Sequence, residues 1–470
     1  MLLLHAMLLY ERIEPMEVNN EKISNSTLTS LCEEFRKNNR IDPAKFEQYE
    51  VKRGLRNADG SGVVAGLTMI CNVHGYVINE GEKSPEEGRL VYRGIDIQDI
   101  VGGCAHDNRF GFEETAWLLL FGKLPTKGQI EHFSSILSKC RELPNYFAED
   151  MIIKAPSPNI MNKLASAVLA LYSYDGMPDD LSMENILRQS IEMMAMLPTI
   201  MIYAYQVKRR HYDKESMYFH PMIPGLSTAE TILHTLRANT KYTDEEAKLL
   251  DLCLMLHAEH GGGNNSTFAA RVLSSSGTDT YSAISAAVGS LKGPRHGGAN
   301  IKVMEMLEYI KSGVGDWEDD DEVAAFLARM INREAGDRSG LIYGMGHAIY
   351  TLSDPRAVLL KEAAYGLAEK KGLGADFRLL EKVEMLTPKV FANAKGVDKA
   401  ICANVDLYSG LVYRTLGIPE DLFTPLFAIA RMAGWCAHRI EEVTTGGRII
   451  RPAYKALAKP QKYIPLSERQ

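Results

Sequence analysis

The sequence predicts a mainly α-helical protein with a small N-terminal β element, and three observations carry that expectation. Apolar residues recur with the helical 3.6-residue period through most of the chain. Helix-opening signatures precede several of these runs. Strand-like runs appear only near the front, in "GVVAGLTMICNV" and "GRLVYRG", which read as one small sheet.

Taken in order, the opening "MLLLHAMLLYERIEPMEVNNEK" is apolar for ten residues but lacks a basic n-region and a small-residue cleavage site. It also carries glutamates, where a transit peptide is Arg-rich and poor in acids, so it reads as a short extension or an early start codon. After the two strand runs, residues 182–210 follow a long helical pattern that Pro198 should kink. "STAETILHTLRA" sets Ser227 three residues before Glu230, a capping box that satisfies helix N-terminal donors reciprocally. "TDEEAKLLDLCLMLHAEHGGG" repeats the device with Thr243 and Glu246, and three glycines stop the helix. A further helix should begin near Asn300. The acidic run "DWEDDDEV" suits a solvated loop and a helix N-terminus, where carboxylates meet the positive end of the dipole.

No low-complexity tract, 20-to-50-residue repeat or Pro/Ser-rich linker interrupts the chain. Its 470 residues exceed one typical domain of roughly 150. The glycine cluster in "GPRHGGAN" and the stretch "YRTLGIPED" are hinge candidates. They divide the chain into a large domain, 1–297 plus 417–470, and a smaller inserted one, 298–416.

Composition narrows the function. A hydrophobic share of 46% and a charged share of 24% are those of a globular protein. Net charge is −7, so no global basic field attracts nucleic acid, and an anionic ligand needs local cations. Seven cysteines without a C-x-x-C pair argue against a disulfide framework and for a reducing, cytoplasmic compartment. No stretch has the roughly 18 uninterrupted apolar residues of a membrane span.

Four segments carry chemistry. "LHAEHGGGNN" places His257 and His260 at one helix end, as metal ligands, as structural histidines, or with His260 donating to an anion. His296 in "GPRHGGAN" precedes a helix whose positive end keeps the ring neutral, hence an N–H donor suited to an enolate oxygen or a turn residue without a role. Asp406 in "NVDLYSG" has apolar neighbours that raise a carboxylate's pKa and strengthen it as a base, though it could equally cap the helix that follows. His347 lies in "GMGHAIYTLSDPRA", nine residues before Arg356. With Arg431 and Arg451, Arg356 could form forks for a dicarboxylate.

Read together, "LHAEHGGGN", "GPRHGGAN", "GMGHAIYTLSDPRA" and "NVDLYSG", in this order, resemble the citrate synthase family. The likeness extends to "LVYRGIDIQDIV", "FEETAWLLLFGKLPT" and "RIIRPAYK", covering roughly residues 50 to 455. It implies an all-α, two-domain homodimer with the active site in the cleft. It assigns catalysis to His296, His347 and Asp406, and oxaloacetate binding to His260, Arg356, Arg431 and, from the other subunit, Arg451. Asn264 and Asn404 match positions lining the site, and Leu341, Tyr343, Gly344 and Gly346 fall where coenzyme A would lie. The implied reaction condenses acetyl-CoA with oxaloacetate and hydrolyses citryl-CoA, the opening step of the tricarboxylic acid cycle, with no metal and no permanently bound cofactor.

Two departures stand out. Thr351 occupies a position where many family members carry Arg or Lys against a CoA phosphate, and the tail beyond Arg451 does not align. Three rival readings remain: 2-methylcitrate synthase using propionyl-CoA, a metal-dependent hydrolase built on His257 and His260, and a helical scaffold without activity.

Overall fold

The computed structural model describes residues 24–38, 40–57, 60–79, 82–396 and 400–469. The opening segment read as an extension lies outside them. The chain forms two compact units, Met1–Gly66 and Leu67–Gln470. The first holds helices α1 (Asn25–Asn38) and α2 (Ala44–Gln48).

The second unit begins with a three-stranded antiparallel sheet in the order β1 (Cys71–Asn79), β2 (Glu82–Tyr92), β3 (Ile95–Asp96). The first strand run was expected over 62–73, but the strand begins at Cys71. Among the described residues, positions 62–70 join no strand; Gly62 forms an isolated bridge to Arg56 and Val63 N donates to the Leu55 carbonyl (2.8 Å). Helices then follow almost without interruption: α3 (Ile97–His106), α4 (Phe112–Phe121), α5 (Lys127–Lys139), α6 (Ile160–Leu171), α7 (Met183–Lys208), α8 (Thr228–Leu236), α9 (Asp244–His257), α10 (Asn265–Ser274) and α11 (Thr280–Leu291). Next come α12 (Ala299–Gly313), α13 (Asp320–Ile331), α14 (Pro355–Lys370), α15 (Gly374–Lys395), α16 (Asp406–Thr415) and α17 (Phe423–Thr444).

Local chemistry explains these boundaries. Both expected capping boxes form, at Ser227/Glu230 and Thr243/Glu246, and a third opens α5 at Thr126/Gln129. Asp319 caps α13 from within the acidic run. α7 runs unbroken through Pro198, packed along its length on α6, α8 and α17.

α17 is the axis of the core. Every residue from 423 to 439 is buried, the signature of a helix surrounded by others rather than lying on a surface. It packs on α4, α6, α7, α9, α10 and α11, while α12 to α16 pack mainly on one another. No helix of the described residues is long and apolar enough to cross a membrane.

Candidate active site

A core helix has few uses for charge, yet α17 buries two arginines completely, and their surroundings differ. Arg439 donates from all three guanidinium nitrogens, to Thr280 Oγ1 (3.1 Å), Ser274 Oγ (3.1 Å) and the Thr278 carbonyl (2.7 Å). Among the described residues Arg431 donates only from Nε, to the His257 carbonyl at 2.7 Å, and both its Nη atoms are sealed from solvent without a hydrogen-bond partner. A buried guanidinium with two free donors is strongly destabilising unless something anionic meets them. The first arginine is structural; the second presents an open fork.

The same face of α17 fixes the turn after α9. Gly434 N donates to the Ala258 carbonyl (3.2 Å), and His438 Nε2 lies 3.0 Å from Glu259 Oε1. His438 Nδ1 accepts from Arg271, which in turn pairs with Glu441 and Glu442. This sets the next residue, His260, buried with Nε2 unpartnered among the described residues. Its ring meets His347 edge-on at 5.0 Å. Burial, with Arg356 adding to it, drives the His260 pKa well below its usual value, so the ring is neutral.

Arg356 is held differently from the expected fork. Asp354 caps α14 at Arg356 N (3.0 Å) and takes the guanidinium edge through Nε (3.0 Å) and Nη2 (2.7 Å). Pro355 begins α14, its fixed φ suited to a first helical position. What Arg356 offers a ligand is therefore Nη1 and the outer side of Nη2.

Next to it, residues 344–346 pair antiparallel with 402–404. Gly346 N donates to the Cys402 carbonyl (2.7 Å), Asn404 N to the Gly344 carbonyl (2.8 Å), and Met345 bridges Ala403. The Asn404 side chain ties both strands, donating to the Gly346 carbonyl (2.8 Å) and accepting from Asp406 N (2.9 Å). Gly344 has φ 79° and Gly346 φ 93°, which favour glycine, and a Cβ on Gly344 would stand 2.7 Å from Leu407 Cα. One short ladder thus ties the segment that carries His347 to the segment that carries Asp406.

Hydrogen bonds fix the tautomers. His347 Nδ1 accepts from the backbone N–H of Ile349 and of Tyr350, both 3.1 Å, which places the ring proton on Nε2. His296 Nε2 accepts from Ser266 N (3.3 Å), leaving its proton on Nδ1. Ser266 Oγ, 3.0 Å from the same nitrogen, accepts from Trp435 Nε1 and reaches Asn264 Oδ1 at 2.9 Å. The His296 pKa is pushed down to about 4, by burial first and Arg431 second. The ring is neutral as expected, but burial is the main cause rather than the helix end.

Asp406 is the first residue of α16 but does not cap it: the N-cap is Val405, and Asp406 Oδ1 is sealed without a partner among the described residues. Burial pushes its pKa up to about 6 against the pull of Arg356 and Arg431. Arg431 bears on Asp406, His296 and His260, and Arg356 on the first and last, so five of the expected residues share one electrostatic environment. Asn264 and Asn404 join through hydrogen bonds.

The remaining expected residues have different settings. Arg451 is exposed and makes no hydrogen bond or ion pair with these groups among the described residues. Leu341 is exposed, and Tyr343 donates to Asp337 (2.6 Å). Thr351 Oγ1 is sealed without a partner among the described residues. His257 is fully buried between α9 and α17, edge-on to Phe427 at 4.5 Å, its pKa pushed down to about 3 by burial and then by Arg356 and Arg431. Two nearby guanidiniums are poor company for a metal ion, and no group of three metal-ligating side chains occurs among the described residues. The sequence reading missed Asp354, Ser266, Trp435 and the Glu259–His438–Arg271 chain. Only Asp354 had a local signal, as a capping residue before a proline.

A sequence model for "Citrate synthase, C-terminal domain" matches residues 58–453. The citrate synthase of Synechocystis sp. is 34% identical over 420 residues, covering 87% of this chain and 93% of its own length. The 2-methylcitrate synthase 1 of Corynebacterium glutamicum is 30% identical over 423 residues, 89% of this chain and 99% of its own. A solved citrate synthase from Thermoplasma acidophilum, in ternary complex with carboxymethyl coenzyme A and oxaloacetate, superposes with TM-score 0.71 at 26% identity, covering 89% of this chain and 99% of its own.

Proposed function

The chain belongs to the citrate synthase family of acyltransferases, and from that premise we propose that Asp406, His296 and His347 condense acetyl-CoA with oxaloacetate and that the resulting citryl thioester is hydrolysed to citrate and CoA. The observation that carries this reading is that one carboxylate unpaired among the described residues, two neutral imidazole donors and one open guanidinium fork occur around the same two arginines and His260.

A thioester methyl is a very weak carbon acid. Asp406 takes its proton while His296 Nδ1–H meets the charge arriving on the thioester oxygen. General-base catalysis contributes about 10² to 10⁴ in rate and one oxyanion donor roughly 3 to 4 kcal/mol, so each needs the other. The enolate carbon bonds to the ketone carbon of oxaloacetate, and His347 Nε2–H donates to the alkoxide. Water then cleaves the thioester, releasing CoA as the thiol. The oxaloacetate carboxylates fall to Arg431, to the free edge of Arg356 and to His260, with Asn264 and Asn404 holding the frame.

Coenzyme A lies along residues 341–346, and residues 298–416 close over it against the rest of the unit, excluding water until condensation is complete. The enzyme works as a homodimer in the cytoplasm, Arg451 reaching the other subunit's site, without metal or resident cofactor. The second reading, 2-methylcitrate synthase, is favoured by the Corynebacterium relative. One methylene is worth only about 1 to 3 kcal/mol in an apolar pocket. Thiol release from acetyl-CoA and propionyl-CoA with oxaloacetate decides between them: a higher kcat/KM for acetyl-CoA is expected, a propionyl-CoA preference selects the second reading, and no release from either sinks both.

A further inference from the structure

The hairpin β1–β2 carries glycines inside both strands, at the point where its ladder breaks. Pairing passes from His74↔Arg89 to Tyr76↔Pro85, so Gly75 faces the three residues 86–88. A bulge of this kind bends the strand and re-aims its surroundings, and a glycine within a strand often marks close approach by another backbone. Neither Gly75 nor Gly88 has a positive φ, so space rather than conformational freedom demands them.

The approaching backbone is the segment that follows His347. A Cβ on Gly75 would lie 2.9 Å from the Ile349 carbonyl oxygen and 3.1 Å from Tyr350 Cα. A Cβ on Gly88 would lie 2.1 Å from the Ser353 carbonyl oxygen, 2.8 Å from Tyr350 Cδ1 and 3.1 Å from Pro355 Cδ. Hydrogen bonds fasten the same contact. Gly88 N donates to Ser353 Oγ (3.1 Å), Ser353 Oγ donates to Glu87, and Tyr350 Oη donates to the Arg89 carbonyl (3.3 Å).

Tyr350 links this contact to the chemistry. Its ring stacks on His347 at 4.5 Å and 22°, and its N–H is one of the two that fix the His347 tautomer. We propose that the bulged hairpin is a positioning element of the catalytic loop: Gly75 and Gly88 set the depth at which Tyr350 lies, and Tyr350 sets the direction in which His347 presents Nε2–H. The hairpin touches no substrate in this account. It rests on the assignment of His347 to the ketone oxygen.

The test is Gly88→Ala, whose Cβ meets backbone and must displace the loop. Calorimetric titration with oxaloacetate counts binding-competent sites, and kcat for CoA release is expressed per such site. The kcat per site is expected to fall by about tenfold or more, since misplacing a reacting group by an ångström can cost about 10². An unchanged kcat per competent site overturns the proposal, because a merely structural role lowers the number of sites and not their turnover. Should Gly88→Ala bind no oxaloacetate, Ser353→Ala replaces it, removing the side-chain tether to Gly88 and Glu87 without adding an atom. A severalfold fall per site is then expected, and wild-type turnover overturns the idea. Wild-type protein that releases no CoA would instead sink the functional reading itself.

Discussion

At the scale of single residues, the site is built from groups left incomplete by their own protein. Arg439 and Arg431 share one buried helix, and only the second keeps two donors free. Arg431→Lys replaces a planar fork by a point charge, so KM for oxaloacetate should rise about 10- to 100-fold with the fold retained; steady-state kinetics with oxaloacetate varied is the check. Asp406 makes two linked claims. Its pKa of about 6 means the base form is lost as pH falls, so kcat/KM should drop tenfold per unit on an acid limb centred near pH 6, His296 staying neutral down to about 4. The same shift has a stability sign. The folded state holds the Asp406 proton more tightly than the unfolded chain does, so ionisation costs stability as pH rises from about 3.8 through about 6, and the cost is complete above that. Asp406→Asn should therefore lose about 10² to 10⁴ in kcat yet gain on the order of 3 kcal/mol at pH 7, a gain that disappears near pH 4 in denaturant titrations. Sequence motifs alone pointed to Arg431, Asp406 and the histidines. They could not show that Asp354 occupies the best edge of Arg356 or that Ser266 sets the His296 tautomer, because those partners act through side-chain geometry that the spacing of residues does not encode.

At the scale of elements, α17 works as a template for the turn that carries His260. Arg431, Gly434 and His438 fall on one face of the helix and meet residues 257, 258 and 259 in turn. Gly434 is the tight point: a Cβ there would lie 2.0 Å from Glu259 Oε2 and 2.5 Å from the Ala258 carbonyl oxygen. Gly434→Ala should therefore cost about 1 to 3 kcal/mol of stability by overpacking, and should also weaken oxaloacetate binding because His260 moves with the turn. Thermal unfolding and calorimetric titration read the two effects separately, and a stable variant with unchanged affinity would refute the template. Helix boundaries were largely legible beforehand because capping boxes and acidic N-termini are local signals, as at Ser227, Thr243 and Asp319. The first strand was misplaced toward 62–70 because apolar residues there look like a strand but, past the bridge at Gly62, form no ladder among the described residues, and pairing is a property of the folded chain. The role of Gly434 was invisible for the same reason: a glycine inside a helix pattern states a cost without naming the neighbour that requires it.

At the scale of the whole molecule, one expected cation of the site makes no contact with the others within the described residues of the single chain. Arg451 lies exposed on the segment after α17 and makes no hydrogen bond or ion pair with the other site groups among the described residues. A cation at the edge of one chain can serve a buried site if a two-fold related copy presents that site to it, since a symmetric dimer repeats each contact on both sides. The proposal separates cleanly from one in which Arg451 acts in its own chain. Arg451→Ala and Asp406→Ala proteins should each be nearly inactive alone. When the two are unfolded together at equal amounts and refolded, half of the dimers should be mixed. In each mixed dimer one site combines the intact Asp406 of the first variant with the intact Arg451 of the second, while the other site lacks both. Activity should then return to about a quarter of wild type. If Arg451 served its own chain, every site in the mixed dimer would lack one group or the other, and refolding the mixture would restore nothing.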